Sequence, residues 1–120
     1  MAIANVPIIE QPGDSGNYRW DVLTGTAGKR YAITTVLVCN KYDPGAVSPE
    51  NEETAFDMHL VPAGEAVSPD QTIVVRKLSL PAGETFTFDS EKIVLEEDDR
   101  LVIEGVVPAN LVATVSYLEV

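Results

Sequence analysis

Four consecutive acids, Glu96-Glu97-Asp98-Asp99, stand between two apolar segments, IVL and RLVIEG. Carboxylates at such density raise the question of a metal or catalytic site. Calcium loops take oxygen ligands from alternating positions and need a glycine to wrap around the ion. This run is contiguous and contains no glycine. In an extended chain successive side chains point to opposite sides, so the four carboxylates do not converge. The spacing predicts a tight turn whose short Asp side chains cap backbone donors. A loosely held cation is the alternative.

The other candidates for chemistry are few. His59 is the single histidine. In TAFDMHLVP the alternation puts Phe56, Met58 and Leu60 on an inward face and Asp57 and His59 on an outward, polar one. The expectation is a surface His–Asp pair, at most a mild pH-sensitive contact at an interface. A zinc centre or a triad needs partners that one imidazole does not supply. Cys39 closes the most apolar segment and is expected as a buried small hydrophobe. No motif provides the base that a nucleophilic thiol requires. GxSxG, a phosphate-binding glycine loop and HExxH are all missing. No pair of carboxylates is singled out for glycoside hydrolysis. Tyr18 and Trp20 suggest a sugar-stacking platform, but Trp20 alternates with charged neighbours as a core or subunit-interface residue does. No catalytic residue, metal or cofactor is therefore expected.

Composition narrows the class. The chain has 120 residues, enough for one compact domain with its own core. Acids outnumber Lys plus Arg 19 to 8, a formal charge of −11 that serves solubility and repels a phosphate backbone. Nucleic acid is not an expected partner. No apolar run approaches the roughly 20 residues a membrane helix needs, so no membrane partner is expected. The segment MAIANVPIIEQPGDSG does not read as a secretory signal. One cysteine excludes an internal disulfide framework and suits synthesis in a reducing cytosol.

The elements that must hold these residues read as strands and turns. Residues 1–17 are rich in Pro, Gly, Asp and Asn and are expected to form an extended N-terminal arm. Within it, Val6, Pro7, Ile8 and Ile9 are able to pair as an edge strand or to lie across a neighbouring subunit. From Tyr18 the chain alternates: Tyr18, Trp20 and Val22 against Arg19 and Asp21, Phe86 and Phe88 against Thr85 and Thr87, and Ala113, Val115 and Tyr117 against Thr114 and Ser116. RYAITTVLVCN is β-branched and long, a candidate central strand. KYDPGAVSPENEE, PAGEAVSPDQ, PAGE, SEK and VVPAN are turns or loops. About eight short antiparallel strands with no helix predict a single all-β domain, a β-sandwich of jelly-roll-like type, over residues 18–120. The expected core is Phe56, Met58, Leu60, Phe86, Phe88, Leu101, Ile103, Val115 and Tyr117. As a core residue, Phe88 would cost about 3 to 5 kcal/mol on truncation to Ala.

The order of segments after Tyr18 resembles small β-sandwich virion proteins of tailed bacteriophages. The resemblance rests on a strand ending in VCN, then FDMHLVPAG, LPAGET, IVLEEDDRLVI and a closing YLEV. It is a pattern of strands and turns, not a catalytic motif. The resemblance implies a non-enzymatic virion protein made in the host cytoplasm. A capsid decoration or cement protein is favoured, outside the shell, bound to the major capsid protein as a homotrimer. One bare domain and an arm suited to strand addition favour this position. On this reading Val6, Pro7, Ile8, Ile9 and Trp20 meet the shell or a second subunit. A tail-, baseplate- or fibre-associated position is the alternative, and a carbohydrate-binding adhesion module is the rival class. A cupin-like enzyme is disfavoured by the single histidine.

Overall fold

The computed structural model describes residues 2–43, 45, 53–89, 93–106 and 110–120. Much of the loop expected over KYDPGAVSPENEE, and much of the turns expected at SEK and VVPAN, lie outside these. The described residues form nine strands and no helix: β1 (Ala2–Ile8), β2 (Arg19–Thr24), β3 (Tyr31–Asn40), β4 (Glu53–Val61), β5 (Ile73–Pro81), β6 (Thr85–Phe88), β7 (Ile93–Leu95), β8 (Arg100–Gly105) and β9 (Leu111–Glu119). They build two sheets. The first, sheet A, runs β1-β9-β3-β6, with β7 also pairing β3; the second, sheet B, runs β2-β8-β4-β5. Every pairing is antiparallel. The expected all-β sandwich is thus observed.

The strand beyond the expected eight is β1, within the segment expected as an arm. Ala2–Ile8 pairs with β9 from Ala2↔Tyr117 to Ile8↔Leu111. Ala2–Ile8 is therefore an edge strand of sheet A. Ile8 is wholly buried among the core residues, and Val6 packs against them. Burial of Ile8, and the backbone bonds that β9 offers, outweigh the turn-rich composition that follows. Pro7 fits because β1 is an edge strand, where a missing N–H costs no ladder bond.

The core fills the space between the sheets, as alternation requires. Phe56, Met58, Leu101, Ile103 and Val115 are fully buried in it, while Leu60, Phe86, Phe88 and Tyr117 are partly buried and pack against it. Phe56 meets Phe86 edge-to-face, with centroids 5.4 Å apart, a geometry that aromatic quadrupoles favour. Val36, Val38, Leu111 and Ala113 complete the centre.

Two polar clamps join the sheets at their ends. Asn40, fully buried at the end of β3, donates from Nδ2 to Leu80 O on β5 at 2.9 Å. Its Oδ1 accepts the Tyr42 N–H at 3.1 Å. At another end, Gly25 follows β2 and lies against the turn between β7 and β8. Its N–H donates to Asp99 O at 2.9 Å and its carbonyl accepts the Asp98 N–H at 3.0 Å. A Cβ at Gly25 would stand 1.8 Å from Glu96 O, so only glycine permits this approach.

Two stability outcomes follow, both read by urea unfolding. Phe56→Ala is expected to cost about 3–5 kcal/mol, and Phe88→Ala less, because Phe88 is not fully enclosed. Gly25→Ala is expected to cost about 1–3 kcal/mol, the range for forced overpacking. A Gly25→Ala protein as stable as the parent would show that the turn moves aside freely.

Candidate functional site

The acidic run is a turn. The Asp99 N–H donates to Glu96 O at 3.1 Å, and Asp98 takes a left-handed φ of 65°, which a short Asp tolerates better than most residues. The Asp99 carboxylate caps the turn. Oδ2 accepts the Glu96 N–H at 2.9 Å, and Oδ1 accepts the Ala63 N–H at 2.9 Å from the loop after β4. Glu96, Glu97 and Asp98 are exposed. Asp99 spends its carboxylate on backbone donors, and Glu96 reaches Arg30 at 3.9 Å, so the run does not converge on one point.

A cluster does form elsewhere, on the outer face of sheet B. Asp57 and His59 project outward from β4, as expected, but neither is at the surface: His59 is 1% exposed and Asp57 8%. The loop between β4 and β5 folds over this part of the sheet and accounts for the difference. The Leu60 N–H donates to Thr72 O at 3.0 Å, and Thr72 is itself buried. The His59 Nδ1 lies 2.8 Å from Thr72 Oγ1. That hydroxyl already donates to Ser68 O at 2.8 Å and accepts the Ser68 N–H at 3.0 Å. Its one proton is used, so Nδ1 must be the donor to it. The partners thereby assign the Nδ1–H tautomer and leave a lone pair on Nε2. Among the described residues, that Nε2 is the buried side-chain polar atom without a hydrogen-bond partner.

Two carboxylates complete the cluster. Asp57 stands directly across the β4–β8 ladder from Glu104. A ring nitrogen of His59 and one oxygen from each of Asp57 and Glu104 all lie within 4.8 Å of one another. Asp57 has a structural duty too. β5 carries an extra residue opposite it, between the pairs Phe56↔Leu78 and Met58↔Val75. At this bulge Lys77 adopts a left-handed φ of 45°, a strained backbone for a non-glycine residue. Asp57 Oδ1 accepts the Lys77 N–H at 2.6 Å and helps hold it there. Two cations flank the cluster: Arg19 reaches Glu104 at 3.4 Å, and Arg76 reaches Asp57 at 3.8 Å. Burial pushes the His59 imidazole below its ordinary pKa, against the upward pull of Asp57 and Glu104.

The remaining candidates separate. Trp20 is partly buried against the core, and its indole N–H donates to Ile9 O at 2.7 Å, so it offers no open stacking platform. Tyr18 likewise packs against the core. Of the expected contact residues, Ile8 is enclosed by its own domain and Val6 is half-buried; Pro7 and Ile9 reach the surface. Ile8 is corrected from contact residue to core. Cys39 is also corrected: it is half-buried on the outer side of β3, opposite Val112 and Thr85. The inward positions there are Val38 and Asn40.

Cys39 belongs to a surface that sequence reasoning did not single out. The strands of sheet A carry a single described charged side chain, Glu119 near the end of β9. The registers set Ile3, Asn5, Pro7, Val112, Thr114 and Ser116 together on the outer side of β1 and β9. Ala32, Leu37, Thr87 and Val94 extend this side across β3, β6 and β7. Ile3, at 63% exposure, and Val94, at 47%, remain open to solvent. The outer side of sheet B, by contrast, bears Arg19, Asp21, Asp57, Arg100 and Glu104. The signal was present in RYAITTVLVCN and LVATVSYLEV as long stretches almost without charge.

Comparison with protein-family models, with curated proteins and with solved structures gives no match.

Asp99→Ala is expected to lower unfolding stability by about 1.5–3 kcal/mol, through loss of bonds to an ionised acceptor. Glu97→Ala, at an exposed position in the same run, is expected to change it by less than about 0.5 kcal/mol. Equal effects in chemical denaturation would mean that the four acids act together after all.

Proposed function

We propose that this chain is a structural protein of a phage particle, a capsid decoration protein that binds the major capsid protein and braces the shell as an oligomer. The observation that carries this reading is the uncharged outer side of sheet A in a chain of net charge −11. Charge avoided on one broad side and concentrated elsewhere suits a protein that docks by that side. An uncharged surface is desolvated cheaply, whereas an unpaired charge buried in a contact costs several kcal/mol. The acidic remainder keeps free copies apart until they meet a matching surface. The order of strands and turns, similar to that of small phage virion proteins, supplies the setting, and three copies about a local three-fold axis is the arrangement that similarity implies. Each copy then adds a modest contact, and symmetry sums them.

Quantitative mass spectrometry of purified particles tests the reading. Copies comparable in number with the shell protein are expected. A few copies per particle would move the protein to the tail or fibres, and absence would favour the carbohydrate-binding module. Thr87→Glu and Thr87→Lys each place a charge on the outer side of sheet A. Both are expected to reduce occupancy on particles about tenfold or more, whatever the sign, with an unchanged melting temperature. Loss with one sign alone would indicate bulk charge and not this surface.

A further inference from the structure

We propose that His59, Asp57 and Glu104 form a binding site for a divalent cation of zinc type on the outer face of sheet B. The site lies on the opposite side of the sandwich from the uncharged surface and does not depend on where the protein docks.

Three observations converge. The first is the donor set: one imidazole nitrogen and two carboxylate oxygens, all within 4.8 Å of one another. Zinc binds His nitrogen and Asp or Glu oxygen at about 2.0–2.2 Å, which places tetrahedral ligand atoms roughly 3.4 Å apart. The three atoms need to close by about 1 Å or a little more, within reach of small rotations of two carboxylates. The second is the open nitrogen. With Nδ1–H committed to Thr72 Oγ1 at 2.8 Å, the ring has only Nε2 to give, and that atom is buried without a partner. A buried acceptor left unsatisfied is costly, and a cation removes that cost. The third is the support behind the ring. Metal-bound histidines characteristically donate their other N–H to a fixed oxygen, which sets tautomer and orientation. Thr72 does this here, and Ser68 holds the Thr72 hydroxyl in turn.

Access and charge are compatible with this assignment. Asp57 and Glu104 line a surface cleft together with Gly16, Tyr18, Lys77, Gly105 and Val106. The cleft gives a cation a route from solvent to the two carboxylates. Arg19 and Arg76 are the charges it must displace. Each reaches one carboxylate oxygen, at 3.4 and 3.8 Å, and each is about half exposed, so both are free to swing outward. Imidazole among the donors favours zinc over calcium or magnesium, which prefer oxygen alone.

The test is calorimetric titration of the EDTA-stripped, desalted protein with zinc chloride, with calcium chloride as comparison. One zinc per chain is expected, with calcium at least tenfold weaker. Glu104→Gln, at a partly exposed side chain, and Asp57→Asn, which keeps an acceptor for Lys77, are each expected to weaken zinc about tenfold or more. His59→Gln should do the same. Arg76→Gln removes a competing charge and should tighten binding severalfold, an effect that mere loss of structure does not produce. Circular dichroism confirms that each variant folds. No zinc binding by the parent, binding unchanged in the folded Glu104→Gln and Asp57→Asn proteins, or calcium bound as tightly as zinc would each overturn the assignment.

Discussion

β4 is covered on both faces, and much of the molecule is arranged to make that possible. Its inner residues, Phe56 and Met58, are fully buried in the core. Its outer residues include Asp57 and His59, groups that are costly to desolvate unless paired. Three devices meet the cost. Arg76 pairs with Asp57, the bulged β5 offers Asp57 the Lys77 N–H, and the loop after β4 brings Thr72 onto the imidazole. The strain at Lys77 and the folded-over loop are thus consequences of one strand whose outward side carries ionisable groups yet is not left to water. One polar atom escapes this accounting, the His59 Nε2, and the functional interest of that face concentrates there.

The two sides of the sandwich divide the protein's surface chemistry. Sheet B gathers the ion pairs Arg19–Glu104, Arg76–Asp57 and Arg100–Asp21, while the outer side of sheet A has almost no charge. Half-exposed ion pairs contribute little stability singly, so their placement says more about what each side meets than about what holds the fold. Stability comes instead from the shared core and from the end clamps at Asn40 and Gly25.

Period-two alternation made most of this legible in the sequence. TFTFD, TAFDMHLVP and LVATVSYLEV each gave the inward residues correctly, because a strand buried on one side must alternate. The acidic run was legible as a turn for the same local reason. What alternation does not carry is the identity of whatever lies over a face. His59 was assigned its side but not its cover, since Thr72 and Glu104 arrive from other strands and loops. β3 is apolar along nearly its whole length, which hid the phase that turns Cys39 outward and Val38 inward. Ile8 was misjudged because its partner, Leu111, is remote in sequence and turn-rich residues follow close behind.

The pairing of β1 with β9 has a kinetic side. Ala2 meets Tyr117 and Ile8 meets Leu111, so sheet A closes only when segments more than a hundred residues apart find each other. Contacts of such long range require a large loop-closure entropy before any reward arrives, which slows folding relative to locally connected proteins. During synthesis β1 has no partner until β9 exists. For that interval it is an apolar segment with Ile3 and Ile8 unprotected, and Pro7 is the residue within it that resists pairing with the wrong chain.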